Sequence, residues 1–230
     1  MPKDEELLED IKQSIIDGDD QASAPATRAA VEAGIDPLAI LNSGLMAGAD
    51  VVGKKFEAGV YFLPQLMLAG RALKAAMSIV EPKLKEIYAH DANAAGDTGV
   101  VVMATVQTDI HDIGKNIVAS MLTASGFEVH DLGVDVPIKS IIAKAQELDA
   151  NLIGCSALLT TSMPFMRDLV NLLEAMGERA RFKLMVGGAS VTPEFAEKIR
   201  ADGTAQNAVK AVQLAKRLIQ EQRAEKRALA

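Results

Sequence analysis

Tryptophan is absent from this 230-residue chain, aromatic residues make up only 3%, and Cys155 is the single cysteine. One thiol cannot close an intramolecular disulfide, and such cysteine usage suits a reducing compartment. With so few rings, the core has to be built from Leu, Ile, Val, Met and Ala. No apolar run approaches the roughly 18 residues that a membrane span needs. The opening Met1-Pro2-Lys3-Asp4-Glu5-Glu6 is too charged for a secretory signal, so a cytoplasmic protein is expected. Cations are outnumbered, 24 Lys and Arg against 31 Asp and Glu, for a net charge of −7. That balance argues against nucleic acid or an anionic membrane as partner. What is present is an ordinary 49% of apolar residues, enough for one large core or two small ones.

The first 90 residues read as helices. Asp36-Pro37 predicts an N-cap followed by proline at the first helical position. After it Leu38, Leu41, Leu45, Ala49, Val52 and Phe56 recur at spacings of three and four, one apolar face of a helix that Gly59 stops. A further helix starts near Leu63-Pro64 and carries Leu66, Gly70, Leu73, Met77 and Val80 on one face. Weaker helical stretches precede these at 6–17 and 21–33. Four helices with short connections predict a small antiparallel bundle over residues 1–90. The small, polar segment 91–98 is expected to be a linker.

From residue 99 the pattern alternates strands and helices. The stretches 99–106, 127–132, 151–157 and 183–186 predict strands, with a short one near 201–204. The first and third are continuously apolar, as in a parallel sheet covered on both faces. Helices are expected at 114–125, 138–148, 164–176, 193–200 and 205–222. This predicts a doubly wound, flavodoxin-like α/β domain over residues 99–230. In such a sheet of order 2-1-3-4-5, ligands bind beyond the carboxyl ends of the strands, where strands 1 and 3 meet.

The polar and glycine residues converge on that rim. The loop after strand 1 holds Asp109, His111, Asp112, Ile113 and Gly114. The loop after strand 3 holds Ser156, Leu158, Thr160 and Ser162, and that after strand 4 holds Gly187, Gly188 and Ala189. A neutral imidazole nitrogen is a good ligand for cobalt. Its other nitrogen needs an acceptor, and a carboxylate two residues away can supply one. Gly114 and Gly187-Gly188 leave room for a bulky group. His90 and His130 have no partner pattern, and Cys155, inside a predicted central strand, reads as a small buried hydrophobe.

Asp109-x-His111-x-x-Gly114, followed by Asp131-Leu132-Gly133, Ser156-x-x-x-Thr160-x-Ser162 and Gly187-Gly188-Ala189, resembles the cobalamin domain of methionine synthase. It is most similar to the stand-alone corrinoid proteins of methanogens and acetogens. Phe56-Glu57-Ala58-Gly59 and Phe62-Leu63-Pro64-Gln65-Leu66 are similar to their helical cap, so the likeness spans roughly residues 5–220.

The resemblance implies cobalamin or a related corrinoid, cycling between methylcobalamin and cob(I)alamin. His111 would replace the cofactor's benzimidazole on cobalt. Asp109 would bond His111, and Ser162 would bond Asp109. The displaced tail would lie against Ser156, Thr160, Gly187 and Gly188, with Leu158, Ala189, Asp112, Ile113 and Gly114 also at the cofactor. Phe56, Leu63 and Leu66 would shield the methyl-bearing face. A methyl that must be kept from solvent yet reach two partners further predicts that residues 1–89 swing as a lid about residues 90–98.

The resemblance also implies a non-catalytic carrier. A substrate-specific methyltransferase would load it, and a second would unload it to tetrahydrofolate or coenzyme M, with a reductive activator protein in support. The donor is not legible in the chain: methylamines, methanol, betaines and methoxylated aromatics all remain open. The alternative is a cobalamin-dependent sensor or regulator, which usually adds a DNA-binding or signalling domain. An adenosylcobalamin mutase subunit would generally lack the helical lid, and a receiver domain would need an acidic cluster and a phosphorylatable Asp.

Overall fold

A computed structural model describes residues 3–89 and 99–228. The chain divides into two compact units, Met1–Ile87 and Tyr88–Ala230. The linker expected at 91–98 lies outside the described residues.

The first unit is helical: α1 Lys3–Asp17, α2 Asp20–Glu32, α3 Pro37–Ala39, α4 Ala47–Glu57 and α5 Leu63–Ala89. The Asp19 carboxylate caps α2 by accepting from the N–H groups of Gln21 and Ala22 at 3.0 Å. Asp36 caps α3 by accepting from the N–H of Leu38, and Pro37 occupies the first turn.

The single helix expected from Pro37 to Ala58 is instead α3 and α4 joined by a π-helical stretch, Ile40–Met46. Periodicity alone does not reveal such a widened turn, because Leu41, Gly44, Leu45, Gly48 and Val52 are buried along it all the same. Two glycines bring α1 close. A Cβ at Gly44 would lie 3.0 Å from Ile11, and one at Gly48 would lie 2.8 Å from both Ile15 and the Lys12 carbonyl.

The face expected for α5 also needs correction. Gly70 is exposed, and the buried stripe runs through Ala69, Ala72, Leu73, Ala76, Met77, Val80 and Leu84. The alanines let α2 approach, so that the buried Ser23 hydroxyl donates to the Ala72 carbonyl at 2.9 Å.

The second unit is the doubly wound α/β domain. Strands β1 Val100–Thr105, β2 Glu128–Asp131, β3 Leu152–Ser156, β4 Lys183–Gly187 and β5 Gly203–Thr204 form one sheet of order β2-β1-β3-β4-β5. All its pairings are parallel. The connecting helices are α6 Ile113–Ala124, α7 Ile138–Glu147, α8 Met163–Ala175, α9 Pro193–Lys198 and α10 Ala208–Ala228.

Side chains alternate across the strands. Val102, Ala104, Ile153, Cys155, Leu184 and Val186 pack with Ile141, Ile142, Met166, Leu169 and Leu173 of α7 and α8. Val101, Met103, Leu152 and Met185 form the alternate, equally buried set, on the side where α6 and α10 meet. Both faces are therefore dry, which is why β1 and β3 read as unbroken apolar runs.

Candidate functional site

The strand order reverses between β1 and β3. Their last residues, Thr105 and Ser156, share one register row with Gly187 of β4. Above that row the chain makes an abrupt change of direction. Asp109 is fully buried, Ile110 is 74% exposed, and the His111 side chain is 47% exposed.

Every hydrogen bond to the Asp109 carboxylate can be accounted for. Oδ1 accepts from His111 Nδ1 at 2.7 Å and from the His111 N–H at 3.1 Å. Oδ2 accepts from the N–H groups of Leu158 and Leu159 at 2.8 and 3.0 Å. Burial pushes this carboxyl up, but the four hydrogen bonds outweigh it and hold it below the usual carboxylate range. An ionised Asp109 fixes the proton of His111 on Nδ1. Nε2 is then a lone-pair donor with no hydrogen bond among the described residues. Thr105, itself buried, donates its hydroxyl to the His111 carbonyl at 3.0 Å and secures the loop from beneath.

Ser162 is fully buried but does not reach Asp109. Its hydroxyl lies 3.2 Å from that of Thr108. The expected Ser162–Asp109 bond is therefore corrected: the backbone of Leu158 and Leu159 occupies the oxygen that a serine would have used. Spacing could not foresee this, because backbone donors carry no residue signature.

The glycines divide into two kinds. Side chains at Gly114 and Gly187 would point into open space, with no atom within 4 Å. Gly188 differs: its φ is 129°, and a Cβ there would lie 1.9 Å from the Ala157 carbonyl oxygen, so it is glycine for the backbone's sake. Ala189 and Thr160 are exposed, while Asp112 and Ile113 are half-buried at the start of α6, where Asp112 Oδ2 accepts from Asn116 Nδ2 at 3.1 Å. Exposed Leu158 and Leu159 add an apolar floor beside Ile110. The Ser190 hydroxyl donates to the Leu158 carbonyl at 2.6 Å and ties the loops after β3 and β4 together.

Two residues nearby were missed by sequence reasoning. Lys115 is buried at the foot of the His111 loop, paired with Asp131 and donating to Asn116 Oδ1 at 2.7 Å. A lysine within the apolar stretch of α6, with an acid at the end of the next strand, was the available signal. Asp135 was the other.

In the helical unit, Phe56 and Leu63 are exposed, but Leu66 is half-buried and packs against Ile16, Val52 and Ala69. Val60, Phe62 and Met67, not among the expected residues, are also exposed there.

Two family descriptions match this chain, both reading "B12 binding domain": one over residues 99–213 and one over residues 7–81. Dimethylamine corrinoid protein 2 of Methanosarcina mazei is 43% identical over 219 residues, which is 95% of this chain and 100% of that protein. The chain belongs to the corrinoid protein family. The structure of the Methanosarcina barkeri monomethylamine corrinoid protein matches with a TM-score of 0.84 at 35% identity, covering 93% of this chain and 98% of that one. The methanol:cobalamin methyltransferase complex MtaBC of the same organism matches with a TM-score of 0.51 at 30% identity, covering 98% of this chain and 86% of that one.

A family member binds a corrinoid, and the residues present suit one. A macrocycle needs an open rim, which Gly114 and Gly187 leave, and apolar neighbours, which Ile110, Leu158 and Leu159 provide. Cobalt takes a neutral nitrogen ligand, and His111 offers one. No helix among the described residues is long and apolar enough to cross a membrane.

Proposed function

We propose that this protein is a methyl carrier, loaded by a substrate-specific methyltransferase and unloaded by a second methyltransferase. A corrinoid, when bound, supplies a cobalt centre that accepts and gives up a methyl group. The reading is carried by the imidazole of His111, locked through Nδ1 onto a buried, saturated carboxylate and free at Nε2. His111 is the proposed lower ligand, and Asp109 sets its tautomer and direction. Ser156, Leu158, Thr160, Gly187, Gly188 and Ala189 border the room for the cofactor's tail, with Asp112, Ile113 and Gly114 beside it. Phe56 and Leu63, with the apolar residues around them, are the candidates for covering the methyl-bearing face.

The dimethylamine and monomethylamine corrinoid proteins that this chain resembles point to a methylamine as donor. The acceptor is proposed to be a pterin such as tetrahydrofolate or a thiol such as coenzyme M. A reductive activator protein would return an oxidised cofactor to service.

The test is reconstitution. The purified protein is loaded with cobalamin, freed of excess, reduced to the Co(I) state with titanium(III) citrate, and offered isotopically labelled dimethylamine together with a dimethylamine methyltransferase. Label should appear on the protein-bound corrinoid and leave when a thiol- or pterin-methylating partner is added. Stoichiometric corrinoid binding with no methyl exchange, across methylamine and methanol partners alike, would sink the carrier reading in favour of a sensor.

A further inference from the structure

Two residues on the rim adopt left-handed backbone although neither is glycine. Thr108 has φ 68° and Asp135 has φ 52°. For a β-branched threonine this conformation is rare and strained, and it persists only where the surroundings over-determine it.

Asp135 holds the turn at two points. The Thr108 N–H donates to Asp135 Oδ1 at 2.7 Å, and the Asp135 N–H donates to the Asp109 carbonyl at 2.9 Å. Below this clasp Val106 bridges Val136, the Val136 N–H donates to the Thr105 carbonyl, and the Thr105 N–H donates to that of Gly133. The loop carrying Asp135 is anchored at its base, where Asp131 pairs with buried Lys115 and accepts from the Gly133 N–H.

The clasp sits where the chain must turn. The Asp109 N–H donates to the Val106 carbonyl at 3.2 Å, closing a four-residue turn with Thr108 in its third position. A left-handed third position usually takes glycine or asparagine. This turn sends Asp109 inward and His111 outward within three residues. Relaxing Thr108 to ordinary backbone would rotate the peptide into Asp109 and carry the carboxylate away from the Leu158 and Leu159 donors.

We propose that Asp135 is a positioning residue for His111, its carboxylate holding Thr108 in the left-handed turn that aims the imidazole at the metal. The inference rests on the reading of His111 as cobalt ligand, and one of its two measurements is independent of cobalt.

The variants are Asp135→Ala, Asp135→Asn and Asp135→Ala combined with Thr108→Gly. In apo protein, proton NMR of the Nδ1–H shared by His111 and Asp109 should show a protected resonance in wild type and Asp135→Asn. It should be lost or exchange-broadened in Asp135→Ala and return in the double variant, because glycine needs no clasp to hold the turn. In cobalamin-loaded protein, electron paramagnetic resonance of the Co(II) form should show the histidine-ligated fraction falling about tenfold in Asp135→Ala and recovering in the double variant.

Unchanged NMR and paramagnetic signals in Asp135→Ala would overturn the proposal, as would a double variant that folds but recovers neither. A wild type without histidine ligation, whose Nδ1–H still depends on Asp135, would leave the clasp standing and remove the ligand reading.

Discussion

The two ends of the same sheet are built to opposite specifications. At the amino-terminal edge the charges are absorbed. Arg179 donates to the carbonyls of Phe182 and Arg200 and pairs with Asp202 at 2.8 Å. Asp202 also accepts from the Leu184 N–H, Arg200 pairs with Glu174, and Lys183 pairs with Glu225. A cleft of about 580 Å³ opens there, yet Arg179, Lys183 and Arg200 on its walls are already engaged. At the carboxyl edge one carboxylate is saturated in order to leave one imidazole nitrogen unspent. Ile110, Leu158 and Leu159 stand exposed there. A cavity and a cluster of mutually paired charges mark the amino-terminal end. Unspent valence and exposed apolar side chains mark the end proposed to bind.

The widest separation of the two ends should come from His111→Ala against Asp202→Ala. The first should abolish protein nitrogen hyperfine coupling in the Co(II) spectrum and lower apo stability only by the one ring hydrogen bond that Asp109 loses, about 1 kcal/mol. Asp202→Ala leaves Arg179 and the Leu184 N–H without their acceptor. It should lower stability by about 1–3 kcal/mol in urea titration and leave the spectrum unchanged. A spectral change in Asp202→Ala would show that the edges are coupled and break the comparison.

The next effect contrasts neighbouring glycines. Gly188→Ala forces a Cβ against the Ala157 carbonyl oxygen from a φ that only glycine holds easily, so it should destabilise apo protein by more than about 1 kcal/mol, the size of the gain that an unstrained glycine-to-alanine change gives. Gly187→Ala meets open space, so it should leave apo stability unaltered and weaken cobalamin binding, measured by absorbance titration. Equal apo stabilities for the two would refute the division of labour.

Asp109→Asn should act on the direction and tautomer of His111 and on the acid limb of stability. An amide cannot accept from both the His111 ring and the two leucine N–H groups, because its nitrogen faces one of them as donor against donor. Histidine ligation of cobalt should fall about 10–100-fold. The variant should also alter acid unfolding. With its folded pKa lowered, Asp109 stabilises the fold above the ordinary carboxylate range, and that contribution fades as pH falls through the depressed value. In Asp109→Asn this part of the acid transition should disappear. Acid unfolding curves that superimpose on wild type would show that the carboxylate is not held as described.

How far the sequence carried the fold follows from what periodicity encodes. Continuous apolar runs at 100–105 and 152–156 mark strands buried on both faces, and the order 2-1-3-4-5 placed the His111 loop on the rim. The same signal is blind to the π-helical turn at Ile40–Met46, whose buried stripe keeps nearly the spacing of an α-helix. It also misplaced Gly70, because alanines contribute weakly to an apolar stripe yet decide how closely α2 and α5 approach. At the site, Asp109 and His111 were legible because their chemistry lies in side chains at a fixed spacing. The partner of Ser162 was not, because backbone donors from Leu158 and Leu159 took its place. Asp135 was hidden for a similar reason: its role is to bond a peptide N–H 27 residues earlier.

The smallest expected effect lies between the two ends, at Cys155. Its side chain packs on the α7 and α8 face with Ala104, Ile153 and Val186, and burial pushes the thiol from its ordinary value near 9 up to about 12. Only the thiolate reacts with an alkylating reagent, so folded protein at pH 8 should resist iodoacetamide while urea-unfolded protein labels completely. The sign for stability follows: above about pH 9 the unfolded chain releases the proton first, so the folded state loses ground as pH rises. Mass spectrometry of the labelled chain checks the first expectation, and urea titrations at pH 8 and pH 10 check the second. Labelling of native Cys155 as fast as in urea would show that the centre of the sheet opens readily. The contrast between a sealed amino edge and an exposed carboxyl edge would then not extend through the strands that connect them.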